Sequence, residues 1–201
     1  MGALNRQFYM VRLHASPQRK KMSIVKDIKI KVIPANVAND FIVRNHYSGK
    51  YVRNSSLHFG AIYNGVLHGV ISFGSSINKK GTVKLVQGTK WNEFIELNRM
   101  AFDDFLPKNS ESRCLGIALR LLKKNAPHIK WVISFADAGQ CGHGTIYMAA
   151  NFKLVEIVRN TALKVNPETG EKVHTITAYH KNIKDFNKWE SVEGYQLKYV
   201  Y

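Results

Sequence analysis

The chain has 201 residues, 45% of them hydrophobic, which is enough for one substantial core and short for two. Lys and Arg number 30 against 14 acidic residues, a formal charge of +16, well beyond the charge of about 2 to 8 that keeps a small domain soluble, so a polyanion is the expected partner. Two cysteines, Cys114 and Cys141, do not make a disulfide scaffold, and neither belongs to a C-x-x-C zinc pair; with no apolar signal region and no run of about 18 apolar residues, a soluble intracellular protein in a reducing compartment is expected.

Residues 1–27 read as a basic leader, either a flexible arm on phosphates or a solvated segment without a role, and residues 28–201 as a single domain. KIKVIP (Lys29 to Pro34) alternates like a strand, and Ala35 to Asn45 carries Val37, Phe41 and Ile42 at helical spacing. After HYSGK come two apolar runs joined by Asn64-Gly65, a dipeptide that favours the positive φ of a tight hairpin turn. Gly81 to Trp91 reads as a loop or short strand, and FIELNRMAF (Phe94 to Phe102) as a buried strand whose polar residues need partners or a task.

A helix is expected from Arg113, with Leu115, Ala118, Leu119 and Leu122 on one face and Lys123 and Lys124 at its end. WVISFAD (Trp131 to Asp137) is a continuous apolar strand of the kind buried in a parallel arrangement. GQCGHG is a glycine-rich loop, a helical piece runs from Thr145 to Asn151, and FKLVEIV is a strand. Asn166, Pro167 and Gly170 mark a turn before VHTITAY, read as the second half of a hairpin. The aromatic, lysine-rich C-terminal segment is uninformative about chemistry.

A central strand leading by a short loop into a helix that opens on Arg113-x-x-Gly116-x-Ala118 resembles the pyrophosphate-binding signature of the GNAT acyltransferases. That resemblance implies an α/β (α+β) fold, a central mixed twisted sheet flanked by helices on both faces, with Ser112, Arg113, Gly116 and Ala118 holding a cofactor. The physics agrees: a helix N-terminus exposes unpaired N–H groups, and glycine lets an anion approach the backbone. Glycine packing against the sheet is the competing reading of Gly116, and capping that of Ser112.

Taken together, NHYSGK, GAIYNGVLHGVISFG, ELNRMAFDD, PKNSESRCLGIALRLLKK and IKWVISFADAGQCGHGTIYMAANF resemble the Mom family of bacteriophage DNA modification proteins, over roughly Phe41 to Phe152. The resemblance implies an enzyme that converts the 6-amino group of adenine in double-stranded DNA to a carbamoylmethyl derivative in the cytoplasm of the bacterial host, protecting phage DNA from restriction. Such chemistry calls for a flipped base, an activated electrophile and a base to take the amino proton.

The resemblance places His46, Tyr47 and Asp137 at the site, with Tyr147 where GNAT enzymes keep the tyrosine that protonates the leaving group. Arg99 is a further catalytic candidate, and Glu96 and Asn98 are substrate-binding candidates. Three apart on a strand, Glu96 and Arg99 are expected on opposite faces. For Asp137 the competing reading is an N-cap, for Tyr147 packing behind Phe152, and for His46 and Tyr47 a plain surface pair. Cys141 and His143 lack a third group to orient them as a thiol nucleophile. Oxygen and nitrogen ligands from His46, Tyr47, Asp137 and Tyr147 could assemble around a metal such as iron, which spacing does not establish.

The GNAT signature implies an acyl-CoA donor, whereas plain acetyl transfer gives a product lacking the nitrogen of carbamoylmethyl. Glycyl on the amine is an isomer of carbamoylmethyl, so glycyl-tRNA is a donor that would need only a later rearrangement, making tRNA a second partner. The competing functions are a CoA-dependent N-acetyltransferase acting on a protein or small molecule, and a non-enzymatic DNA-binding protein on the same fold.

Overall fold

The computed structural model describes residues 24–201; residues 1–23, most of the basic leader, lie outside the described residues, as does the Cys141 side chain. Seven strands form one sheet in the order β1-β2-β3-β4-β5-β10-β6. These are β1 Lys29–Val32, β2 Ser55–Tyr63, β3 Val66–Gly74, β4 Phe94–Phe102, β5 Trp131–Asp137, β6 Lys153–Asn160 and β10 Gly194–Val200. All neighbours are antiparallel except β4 and β5. Three short strands, β7 Leu163–Val165, β8 Lys172–His174 and β9 Glu190–Ser191, make a separate small sheet. Among the described residues no helix is long and apolar enough to cross a membrane.

The β2–β3 hairpin turns on Asn64 and Gly65, both at positive φ, the mirror-image turn that matches the twist of its strands. Helix α1, Ala35–Asn45, lays Ala38, Phe41 and Ile42 on one sheet face against Val70 and Ala101. The connection after β3 holds a short helix α2, Lys79–Thr82, and one 3-10 turn, Val83–Leu85, rather than a strand, because the Asn78 side chain caps it by accepting from the Gly81 N–H.

Helix α3, Ser110–Asn125, covers the opposite face with Cys114, Leu115, Ala118, Leu119 and Leu122, each buried leucine contributing about 1.5–3 kcal/mol. It starts three residues before the expected Arg113. Asn109 takes a left-handed φ of 73° at the cap, a conformation asparagine tolerates, and the Ser110 hydroxyl donates to the Pro107 carbonyl.

Two short helices follow β5: α4, Ala138–Cys141, and α5, Thr145–Ala149. The predicted second hairpin exists only as β7 and β8; TITAYH, read as strand, is helix α6, Thr175–His180. Its alternation is outweighed locally, since the Thr175 hydroxyl and N–H both donate to the Ala162 carbonyl and turn the chain out of the ladder. The C-terminal segment has a structural task. It forms β10, an inner strand between β5 and β6, with Leu197 and Tyr199 buried in the main core.

Candidate active site

The parallel β4–β5 pair is short. Register partners run from Phe94↔Trp131 to Leu97↔Ser134 and then stop, although both strands continue. The cause lies in β4: Leu97 faces Phe73 and Arg99 faces Ser72, so Asn98 is an extra residue, a bulge that bends the strand away. The bulge also overturns the alternation expected from sequence. Leu97 and Met100, three apart, both pack into the α3-side cluster, so Glu96 and Arg99 both face the other side.

The opening is a cleft of about 300 Å3 lined by His46, Tyr47, Asn98, Arg99, Phe135 and Tyr147, among others. Five of the sequence candidates therefore meet there. A second cleft of about 510 Å3 lies beside it, with Glu96 in its lining and Phe135 common to both.

His46 caps the C-terminus of α1 through its backbone N–H to the Ile42 carbonyl, and Gly49, at φ 58°, turns the chain back. Its Nδ1 accepts the Ser48 backbone N–H at 3.1 Å and lies 2.8 Å from the Ser48 hydroxyl. A backbone N–H can only donate, so the neutral ring carries its proton on Nε2. Burial, and then the charge of Arg99, lower the pKa of His46 to about 4. Arg99 is itself fixed, Nε donating to the Lys50 carbonyl at 3.1 Å and Nη1 to the Asn98 carbonyl at 3.2 Å. Tyr47 is 60% exposed with its ring 4.2 Å from that of His46.

Asn98 is only 7% exposed. Its Oδ1 accepts from the Ser55 hydroxyl, while its Nδ2 finds no acceptor at ordinary hydrogen-bond distance, though it is close enough to Glu96 to draw that carboxyl downward. A buried donor held only by so loose a contact is costly and suits a ligand acceptor in the cleft. Burial dominates at Glu96, whose pKa is raised despite the pull of Ser76, Asn98 and Arg99.

Tyr147 stands on α5, its ring 5.6 Å from Phe152 and 5.3 Å from Tyr199, so packing behind Phe152 and a place in the cleft coexist. Gly144, at the start of α5, has φ 66°, and a Cβ there would come within 2.6 Å of the Tyr199 ring. Only glycine fits.

Asp137 caps α4, its Oδ1 accepting from the Gly139 N–H at 2.9 Å. By alternation it shares the face of Phe135, one step beyond the cleft, and does not line it with the others. Among the described residues no three His, Cys, Asp or Glu side chains converge as a metal site. Nothing sequence-derived singled out Ser48, although its position two after His46 was a signal: serine at that offset bonds back into the turn.

On α3 the cofactor candidates separate. Above Gly116 the nearest atom to an added Cβ would be the Arg120 guanidinium at 3.8 Å, so the glycine packs against nothing and its surface is open. Arg113 is exposed, its Nε donating to the Val25 carbonyl. Ser112 lies inside the first turn and donates to the Asn109 carbonyl, so it is not the cap. Ala118 is fully buried in the core, where it packs and is closed to a ligand.

A mixed sheet in this order, opened between its two parallel strands and covered by helices on both faces, is the fold of the GNAT acyltransferases. Arabidopsis thaliana NAA60 in complex with a bisubstrate analogue is similar at TM-score 0.59 and 10% identity, over 87% of this chain and 97% of that one. A GNAT family acetyltransferase from Elizabethkingia anophelis with acetyl-CoA bound is similar at TM-score 0.50 and 14% identity, over 86% and 97%.

Within that fold the chain belongs to the Mom protein family, which its residues 27–200 match. The methylcarbamoylase mom of Escherichia phage Mu is 35% identical to it over 153 residues, 76% of this chain and 62% of that protein.

Proposed function

We propose that the protein is a DNA-modifying transferase that converts the 6-amino group of adenine in duplex DNA to its carbamoylmethyl derivative. The observation that carries this reading is the convergence of His46, Asn98, Arg99 and Tyr147 in the β4–β5 opening of a Mom family chain. The charge of +16 supports a nucleic-acid substrate.

In the transfer step the adenine amine attacks the acyl carbon of the donor, a C–N bond forms and the bond to the leaving group breaks. Arg99 and the Asn98 amide offer N–H donors to the carbonyl oxygen as it becomes negative. The His46 ring, neutral with its proton on Nε2, is a further donor rather than a base. Asp137, with one carboxylate oxygen engaged by Gly139, is the group to take the amino proton at the end of β5, and Tyr147 gives a proton to the leaving group.

The donor we favour is glycyl-tRNA. After glycyl transfer, the free glycyl amine attacks the ring carbon through a five-membered intermediate, and the original carbon–nitrogen bond breaks to leave carbamoylmethyl. This isomerisation balances without another reagent. An acyl-CoA is the second reading, favoured by the open surface at Gly116 beside Arg113 and Arg120.

The test is to express the protein in bacteria carrying a plasmid and analyse the digested nucleosides by mass spectrometry. Deoxyadenosine heavier by one glycine residue is the expected product. Unmodified DNA from folded protein, together with a rise in melting temperature on adding acetyl-CoA, would turn the reading to a CoA-dependent N-acetyltransferase.

A further inference from the structure

We propose that the cleft holding Glu96 receives an extruded purine base, and that the β3–β4 connection, residues 75–93, is the surface that grips the flanking phosphates of the duplex. This rests on the DNA reading above and adds the place where the DNA docks.

The connection carries Lys79, Lys80, Lys84 and Lys90, with no Asp or Glu between residues 75 and 92. Lys80, Lys84 and Lys90 are exposed, and such a run complements a phosphate backbone. Two apolar side chains stand out of the same segment into solvent: Ile77 is 86% exposed and Trp91 66%. The Lys79 ammonium lies 5.1 Å over the Trp91 ring, which pairs a cation with an aromatic surface suited to stacking. An exposed isoleucine at the rim of a pocket suits the wedge role, filling the space a displaced base leaves in the stack.

The cleft beneath fits the displaced base. Its volume of about 510 Å3 is within the roughly 300–1,000 Å3 usual for small-molecule pockets. Phe135 supplies a flat apolar wall, and Asn78, Gln196 and Glu96 line it with amide and carboxyl groups. An ionised carboxylate only accepts hydrogen bonds and an amide can donate, the complement of adenine's amino group and its neighbouring ring nitrogen.

Phe135 lines both clefts, and the Asn98 bulge turns Glu96 and Arg99 to one side of the sheet. A base in the Glu96 cleft is therefore separated by one side chain from the cleft of His46 and Arg99. Acceptor and donor enter by separate openings.

The test compares two charge reversals of exposed lysines, K80E/K84E in the connection and K29E/K31E on the edge strand β1, both binding the same duplex DNA across a salt series. The connection variant should bind at least ~10-fold more weakly at low salt, with a log–log salt slope shallower by about 1.8, two phosphates at about 0.9 each. The β1 variant should stay within ~3-fold of wild type, since its lysines pair opposite Ile62 and Gly60, toward the hairpin end of the sheet rather than the Gly74 end that leads into the connection. Equal losses in both, or none in K80E/K84E, would overturn the docking surface.

Duplexes carrying 2-aminopurine next to adenine, in mixed sequence contexts, report extrusion through the loss of stacking on the neighbouring base. Wild-type protein should raise their fluorescence, and no rise at saturating protein would overturn the base pocket. Glu96→Gln should keep duplex affinity and melting temperature while lowering adenine modification by at least ~10-fold, in the range of a lost catalytic contact; full modification by E96Q would also sink the assignment. If wild-type protein modifies no DNA, the activity reading alone fails, and the binding and fluorescence comparisons decide this proposal without it.

Discussion

His46 and Arg99 face one another across the cleft while being anchored to the same five-residue turn, His46 through Ser48 and Arg99 through the carbonyl of Lys50. The loop that fixes the imidazole thus also fixes the cation that suppresses its protonation. Arg99→Gln removes that cation and should move the His46 pKa upward from about 4, without restoring it fully, since burial is the larger cause. Titration of the histidine ring protons by NMR measures the shift, and an unchanged value would mean that Arg99 does not reach the ring.

The same depressed pKa has a stability consequence with a definite sign. The unfolded chain takes up a proton on His46 near pH 6.5, the folded chain only near pH 4. Stability associated with neutral His46 is therefore present above pH 6.5 and lost as pH falls from there toward 4. In urea denaturation across this window, His46→Asn should show a shallower loss than wild type.

Asp137 is tested by a substitution that separates its two roles. Asparagine caps a helix about as well as aspartate, so Asp137→Asn should leave the melting temperature within about 2 °C, as expected for under ~0.5 kcal/mol in a chain of this size. If the carboxylate takes the amino proton, adenine modification should fall by at least ~100-fold. Near-normal modification in D137N would leave Asp137 with capping alone.

Gly144→Ala addresses the wall that carries Tyr147. The added methyl would meet the Tyr199 ring at 2.6 Å in a backbone of φ 66°, costing about 1–3 kcal/mol from overpacking and more from the left-handed backbone. Urea midpoints measure it. Tyr147→Phe, in contrast, keeps both ring contacts and, if Tyr147 protonates the leaving group, should slow adenine modification.

Much of the fold was legible because its elements are locally consistent. Asn64-Gly65 specifies its turn by φ alone, and the i, i+3, i+4 spacing of Leu115, Ala118, Leu119 and Leu122 specifies the buried face of α3. What was not legible depended on partners distant in sequence. The bulge at Asn98 exists only against Ser72 and Phe73, and it reversed the facing of Glu96 and Arg99. The motif reading of α3 likewise treated Ala118 as ligand-facing, when the same spacing that makes the helix amphipathic had already committed it to the core.

The candidate site was partly legible: His46, Tyr47, Asn98, Arg99 and Tyr147, drawn from three separate segments, line one cleft. Ser48 was passed over because its task is to orient another residue, a function that leaves little trace in spacing. Gly81 to Trp91 read as a loop or short strand because a four-residue helix and one 3-10 turn are too short for a helical period to show.

The position of β10 bears on the order in which the molecule comes together during synthesis. β5 and β6 never touch directly; β10 lies between them, and residues 161–193 must be made before it. Until then β6 has no place in the sheet, and Tyr199, whose ring packs on Tyr147 and whose hydroxyl holds the His143 carbonyl, is absent. Pairings of such sequence separation form slowly. The wall behind the cleft is therefore the last part of the molecule to close, after every residue that lines the opening has been made.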